Sequence, residues 1–216
     1  MSDFSVKKTF NMVSKAVAVS SLMLVAGCGP LISFGDDGPA DQIFSLDYPV
    51  AGDHSSAASV IYVAEPLMSG GLSGTQVSVV LDDNQRTSLM GVRWNANTTD
   101  MVRDYLVRGL SAQSGALMLG EGALDVKAGC RLGVKVWDYE YVPGNSISDD
   151  RVDVEIELIL VRYIDNALLG QPTFAASEAV SGSDGVDVVD GFNRAMASIS
   201  RDAGDWIGQN REACQL

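Results

Sequence analysis

Three cysteines and a single histidine are the residues of this chain best suited to covalent or metal chemistry. Thiolates and imidazoles bind Zn²⁺ when several stand at ligand spacing, and a cysteine or serine beside a histidine can act as a nucleophile. Neither Cys130 nor Cys214 has another cysteine or histidine at ligand spacing, and His54 falls in a predicted loop. The sequence therefore predicts no metal site, and nothing specific supports a histidine-based triad.

Sequence patterns that carry catalysis are missing. The chain has no Gly-x-Ser-x-Gly elbow and no glycine-rich phosphate loop with a lysine, and Gly120-Glu121-Gly122 lacks the third glycine of a dinucleotide fingerprint. The acidic pairs Asp82-Asp83 and Asp149-Asp150 stand at predicted turns, where neighbouring side chains point apart, so a carboxylate dyad sharing a proton is not expected. We predict no catalytic residues, no bound cofactor and no enzyme activity.

Residues 1–27 have the layout of a bacterial export signal. Lys7, Lys8 and Lys15 precede an apolar run of about 11 residues that ends in small residues, whereas a membrane-spanning helix needs about 20. The segment Leu24-Val25-Ala26-Gly27-Cys28 follows, and it resembles the lipobox at which bacterial lipoproteins are cut and acylated. We predict a signal peptide at residues 1–27 and a covalent lipid on Cys28; the alternative is a cysteine in a plain signal peptide.

A lipid on Cys28 would hold the chain at a membrane without a spanning segment. Each buried methylene contributes about 0.8 kcal/mol and one chain binds only marginally, so two or three acyl chains give a stable anchor. By resemblance to the sorting rule of enteric bacteria, Gly29 in place of Asp favours the periplasmic face of the outer membrane over that of the inner membrane. We predict a flexible tether over residues 28–42 and a folded domain over residues 43–210.

The two remaining cysteines, Cys130 and Cys214, would lie in an oxidising compartment after export. An even pair in that setting predicts a disulfide, with two unpaired thiols as the alternative. Closing a loop of roughly 85 residues would stabilise the fold by several kcal/mol in the chain-entropy description.

The charge of the chain limits its partners. The formal net charge is -13 at pH 7, and it becomes more negative when the lysine-rich N-terminus is discounted. Nucleic-acid binding needs clusters of Lys and Arg that displace counterions from phosphates, and no window of the sequence provides one. The same acidity argues against adhesion to anionic lipid through a basic patch. Nucleic acid is excluded as a partner, and the predicted membrane attachment depends on Cys28.

The part after the tether alternates strand and helix patterns. Strands are predicted at residues 43–46, 60–66, 75–81, 89–94, 131–142, 151–163 and 173–180. The turn formers Pro143-Gly144-Asn145 predict antiparallel pairing of the two long strands. One amphipathic helix is predicted from about residue 99 to 114, capped by Asn97 or Thr98 and ended by Gly115, and a second over 189–206, capped by Asp187. These elements predict one α/β domain, with a mixed, mostly antiparallel sheet packed with about two amphipathic helices.

Aromatic side chains alternate along one of the long predicted strands. Trp137, Tyr139 and Tyr141 fall on the face opposite Leu132 and Val134, which is the outward face. An exposed apolar patch there can contact a partner or lipid. Cover by one of the helices is the alternative, and it is the favoured one on general grounds.

Several motifs along the chain occur together in one known family. They are the lipobox ending at Cys28, the tether, Phe44-Ser45-Leu46, a strand ending at Pro66, Val92-Arg93-Trp94 directly before a helix, and a closing helix that ends at Trp206-Ile207. On these motifs, residues 22–208 resemble the ABC-type transport auxiliary lipoproteins, the paraquat-inducible type C family associated with MCE (mammalian cell entry) lipid transporters. The motif residues are expected to be structural. The chain departs from the family pattern at Asn95-Ala96-Asn97, where a proline-containing step is usual, and in a Gly/Ser-rich loop at 67–75.

The resemblance implies a non-enzymatic partner of an MCE-domain protein and of an ABC permease and ATPase. Such an assembly moves phospholipid or other hydrophobic solutes between membranes, and a lipid-held domain could dock it at the outer membrane. The number of copies is left open, a homo-oligomer included. The rival interpretations are a structural or peptidoglycan-associated envelope lipoprotein and a periplasmic hydrolase with an unrecognised site.

Overall fold

Ten strands and two long helices make up the part of the chain that the computed structural model describes, residues 40–53, 57–81, 85–123 and 125–216. The strands are β1 (Gln42–Phe44), β2 (Val60–Val63), β3 (Leu67–Met68), β4 (Gln76–Val80), β5 (Arg86–Trp94), β6 (Leu117–Leu119), β7 (Cys130–Val142), β8 (Arg151–Arg162), β9 (Leu168–Gly170) and β10 (Thr173–Ala179). The helices are α1 (Thr98–Ser114) and α2 (Gly185–Asn210), and short 3-10 turns cover Ile147–Asp149 and Arg211–Cys214.

Strand β7 is the centre of the sheet. Along one edge it pairs antiparallel with β8 over nearly its whole length, as the turn formers between them predicted. Along its other edge it pairs in parallel with β2, then β3, then β4. The sheet continues from β4 through β5 to β1, from β2 to β6, and from β8 to β9 and β10. The predicted mixed α/β domain is confirmed: the sheet is open, and its longest strands pair antiparallel.

Both helices pack on the same apolar face of the sheet and against each other. The alternation in β8 defines that face, because its even-numbered residues from Val152 to Leu160 are buried while Asp153, Glu155 and Glu157 are only half-buried. Small residues let the helices approach closely, since a side chain at Gly109 would overlap Ser200. We call the opposite side the open face; no described helix covers it.

The helix ends agree with the predictions at one terminus and correct them at others. Gly115 ends α1 in the left-handed conformation, at φ 69°, as predicted. Asn97 occupies the N-cap position without a side-chain bond, while the Thr98 hydroxyl donates to the Gly74 carbonyl at 2.8 Å. Helix α2 begins at Gly185, two residues before Asp187, so Asp184 stands at its N-cap in place of the predicted Asp187.

Candidate partner-binding surface

A β-bulge in β7 decides which aromatic side chains reach the surface. The register with β8 steps from Val136↔Ile156 to Asp138↔Glu155, so Trp137 is an extra residue and the alternation shifts by one. Tyr139 and Tyr141 therefore point into the core and are 2% and 4% exposed, whereas Trp137 is 39% exposed. An outward patch of all three is wrong for Tyr139 and Tyr141, since plain alternation does not count the bulged residue. The favoured alternative, cover by a helix, holds for Tyr139, whose ring packs on Phe192 of α2.

The two buried tyrosines differ in how their hydroxyls are satisfied. The Tyr139 ring stacks on Phe192 of α2 with centroids 4.5 Å apart, but its hydroxyl has no hydrogen-bond partner among the described residues. The Tyr141 hydroxyl donates to Asp150 Oδ2 at 2.5 Å, and Gly144 N–H donates to the other oxygen of that carboxylate at 2.7 Å. Burial raises the pKa of both tyrosines, and at Tyr141 the bond to Asp150 raises the pKa further.

We expect the same substitution to have opposite effects at these two positions. Tyr141→Phe leaves one oxygen of a buried carboxylate without its donor and should lower the free energy of unfolding by about 1–3 kcal/mol. Tyr139→Phe removes a buried hydroxyl that has no partner, so it should leave that free energy unchanged or raise it by up to about 1 kcal/mol. Urea unfolding of both variants checks this pair, and equal losses in the two would contradict the assignment.

Trp137 is held in one orientation on the open face. Its indole Nε1–H donates to Glu157 Oε2 at 2.8 Å, and Gln171 Nε2 donates to the other oxygen of Glu157. The Lys135 Nζ lies 3.4 Å from the centroid of the indole ring, which is a cation–π arrangement. The bonds from Gln171 and Trp137, and then the charge of Lys135, lower the pKa of Glu157. The indole is fixed before any partner arrives, so binding through it would cost little side-chain entropy.

A second exposed apolar residue lies beside Trp137. Leu67 of β3 is the register partner of Lys135, so both side chains lie on the open face, and Leu67 is 70% exposed. Lys135 is in turn opposite Glu157 on β8. We name Leu67, Lys135, Trp137, Glu157 and Gln171 the open-face patch. It combines two exposed apolar side chains with an ammonium and a carboxylate that are held against the indole.

Sequence reasoning found only one member of this patch. The sequence pattern predicts a loop at Leu67, and nothing in the sequence shows that this residue pairs with Lys135, because parallel pairing between distant segments has no local signal. Aligning the two long strands from their shared turn gives the register correctly only as far as Asp138↔Glu155. The bulge at Trp137 shifts the pairing beyond that point by one residue, so such an alignment would set Lys135 opposite Leu158 and miss Glu157.

A polar groove of about 200 Å³ lies under the Gly-rich loop that follows the patch in the chain. It is lined by Gly70, Gly71, Gly74, Gln76, Ser78, Arg86, Thr87 and Ser88. The Arg86 guanidinium is held by Glu140 at 3.0 Å and faces Asp138 at 3.9 Å, so its positive charge is already compensated. The groove therefore offers hydroxyl, amide and backbone contacts and no anion-binding charge of its own.

The residues shared with the resembled family position elements of the fold. Trp94 is 3% exposed, and its ring meets Phe192 edge-on with centroids 5.3 Å apart. Arg93 is on the surface, 3.4 Å from Asp41 and 3.3 Å from the Thr75 hydroxyl. The others are packing residues: Phe44 against the start of α2, Leu46 and Pro66 buried, and Trp206 half-buried near Phe174.

The structure joins Cys130 and Cys214 in a disulfide, with Cα atoms 5.1 Å apart and both residues fully buried. Two further contacts fix the C-terminal turn that carries Cys214: the Ser59 hydroxyl donates to the Arg211 carbonyl at 2.8 Å, and Arg211 donates to the Ser114 carbonyl at 3.0 Å. This turn lies beyond the predicted domain end at residue 210. Whether the bond forms in the cell stays a prediction, with its test given below.

Other predicted sites fall outside the described residues or find no counterpart in them. Cys28 and His54 lie outside the described residues. Within the described ranges, no three His, Cys, Asp or Glu side chains are grouped so that they could hold a metal ion. No helix in the same ranges has the length and apolarity needed to cross a membrane.

Comparison with known proteins identifies the family. The family model described as the ABC-type transport auxiliary lipoprotein component matches residues 44–203, most of the folded domain. The chain belongs to this family. The family consists of transport accessories and is not an enzyme family. No curated protein sequence matches the chain.

Solved structures share the fold at low sequence identity. A protein from Xanthomonas campestris, assigned to the family DUF330, is 18% identical over 79% of this chain and 99% of its own, with a TM-score of 0.66. A second, described only as an uncharacterized protein, is 17% identical over 78% of this chain and 99% of its own, with a TM-score of 0.64. The auxiliary lipoprotein therefore shares its fold with nearly the whole length of each of these two chains, over somewhat less than four fifths of its own length.

Proposed function

We propose that this auxiliary lipoprotein is a lipid-anchored, non-enzymatic accessory of an ABC transport assembly that contains an MCE-domain protein. It docks that assembly at the periplasmic face of the outer membrane, where phospholipid or another hydrophobic solute is moved. Family membership supports the accessory role. The lipobox-like segment ending at Cys28 and the Gly29 that follows it support the anchor and the choice of membrane.

The observation that carries the docking role is the open-face patch. Trp is enriched among interface residues that dominate binding free energy, and the Trp137 indole is both exposed and held by Glu157 and Lys135. Asp138 and Glu155 lie beside it on adjacent strands, in a chain whose net charge is -13. The partner surface that fits is apolar at its centre and basic at its rim, since that combination covers the indole and complements the charge.

We expect Trp137→Ala to reduce capture of the transport components about thirtyfold, because loss of a central indole typically costs about 2 kcal/mol or more of binding free energy. Leu67→Ala should have a smaller effect in the same direction. The measurement is affinity capture of the full-length lipoprotein from solubilised native membranes, with quantitative mass spectrometry of an MCE-domain protein, a permease and an ATPase.

Met90→Ala is the matched control for that experiment. Met90 is 92% exposed and lies on β5, outside the open-face patch, so its truncation removes exposed apolar surface without touching the patch. Capture should be unchanged in this variant. Equal capture by wild type and Trp137→Ala would contradict the docking role of the patch, and recovery of peptidoglycan without any transport component would favour the structural envelope lipoprotein.

A further inference from the structure

Strand β10 is the longest free edge of the described sheet. It pairs with β8 alone, and no described strand lies on its other side. The other strands with a single neighbour are short: β3 has two residues and β1, β6 and β9 have three each, whereas β10 has seven. Short edge strands are one way in which proteins prevent unwanted pairing, and β10 does not use it.

The hydrogen-bond register shows which backbone groups of β10 are free. Leu158 N–H donates to the Pro172 carbonyl, and Val180 N–H donates to the Asp150 carbonyl, so the even-numbered residues of this strand are those that bond to β8. Odd-numbered residues therefore direct N–H and C=O away from β8. Arg194 of α2 confirms this direction, because it donates to the outward Ala179 carbonyl at 2.6 Å.

Three residues of that edge, Thr173, Ala175 and Ser177, have backbone groups that bond to no other described residue. Their side chains are small and exposed on the open face. No lysine and no proline interrupts the strand, and the charge of Glu178 is paired with Arg194 at 3.5 Å. The edge therefore lacks the usual devices that keep another strand away, apart from the Arg194 contact at its last residue.

We propose that a second copy of this chain occupies the edge, with β10 pairing antiparallel to β10 of the copy about a twofold axis at Ala175. The axis places Thr173 opposite Ser177 of the copy and Ala175 opposite itself. All outward groups of these three residues are used, so about six N–H···O bonds form; Ala179, whose outward carbonyl already accepts from Arg194, lies beyond the paired stretch. The opposed side chains on the open face are all small and uncharged, so neither bulk nor like charge opposes the pairing.

The helix layer favours a second copy over a single extended peptide. Helix α2 lies over both β8 and β10, as the Arg194–Glu178 pair and the Phe174–Trp206 contact show. Neighbouring strands are about 4.8 Å apart, so the midpoint of one β8–β10 pair would lie about 10 Å from the midpoint of the same pair in the copy. A helix α2 centred over each pair would therefore lie about 10 Å from its copy, which is a normal helix-packing distance. A bare peptide strand would leave this flank of α2 uncovered.

The flank of α2 that would face its copy is also suited to self-association. Ala197 is exposed near its middle, and Asp190, Arg194, Arg201 and Asp205 lie on the same side of the helix at helical spacing. Charges of both signs are therefore available there, although the whole chain is strongly acidic. The inference is independent of the proposed transport role, because it rests on the edge strand and the helix above it alone.

Crosslinking of the full-length lipoprotein in native membranes tests the axis. An Ala175→Cys variant treated with a short bismaleimide should give a product of twice the chain mass, because the two thiols would face each other across the axis. Thr87→Cys, an exposed strand position on β5, is the matched control and should give none. Untreated and wild-type samples set the background from the native cysteines.

A second pair of variants separates pairing from folding. Ala175→Pro removes an outward N–H that β8 does not use, so the chain should keep its unfolding temperature while dimer formation in detergent falls about tenfold or more. Ala175→Ser keeps the N–H, so this variant should keep the dimer. If Ala175→Pro unfolds, Ser177→Lys is measured in its place. A monomeric wild type without crosslinks would overturn the proposal, and so would an Ala175→Cys product that contains a different protein.

Discussion

Cys28→Ala should leave the chain as an unacylated, uncleaved precursor or release it into the soluble fraction. The segment Leu24-Val25-Ala26-Gly27-Cys28 places a thiol directly after two small residues, and without that thiol no acyl chain can be attached. One acyl chain holds a protein only marginally and two or three hold it stably, so we expect membrane-bound mature protein to fall by at least about a hundredfold.

Palmitate labelling and membrane fractionation measure this effect. Met90→Ala is the control, since that residue is 92% exposed on β5 and should not influence acylation. Labelling that persists in Cys28→Ala would show that the lipid is attached elsewhere. Membrane association without labelling would show that the folded domain has its own affinity for the bilayer or for a resident protein.

Removal of the Cys130–Cys214 bond should lower the free energy of unfolding by between about 4 and 5 kcal/mol. The two cysteines are 84 residues apart in sequence, and opening a loop of that length restores that much conformational entropy to the unfolded chain in the chain-entropy description. The double variant Cys130→Ser and Cys214→Ser is the clean comparison, because a single replacement leaves a buried free thiol.

Urea unfolding under oxidising and reducing conditions gives the loss directly. Arg211→Met is the matched control: it removes the bond to the Ser114 carbonyl in the same C-terminal turn and keeps the cysteines, so it should cost only about 1 kcal/mol. Two reactive thiols in the folded, unreduced protein would contradict the pairing.

The elements with strong local signals were predictable from the sequence. The long β7–β8 hairpin follows from alternating apolar residues on either side of Pro143-Gly144, and the end of α1 follows from Gly115, whose positive φ suits glycine. The amphipathic spacing of α2 predicted its buried face, with Phe192 and Ile199 in the core. In these places the local preference and the tertiary packing agree.

The features that the sequence did not reveal depend on pairing between distant segments. The bulge at Trp137 inverts the exposure expected for Tyr139 and Tyr141, and one inserted residue leaves the alternation of side-chain types looking regular. The place of Leu67 beside Lys135 depends on a parallel contact that no turn specifies. The start of α2 was missed because Asp184 and Asp187 are both acceptable caps, and packing of Gly185 on Phe44 selects the first.

Site-specific photocrosslinking from the open-face patch tests the central claim most directly, because it reports contact in the intact membrane. A photoreactive amino acid at Leu67, which is exposed beside Trp137, should crosslink the full-length lipoprotein to an MCE-domain protein or to another transport component. The same group at Met90 should not. A Leu67 product that contains no transport protein, or a Met90 product of equal yield and identity, would contradict the assignment of this surface as the docking site.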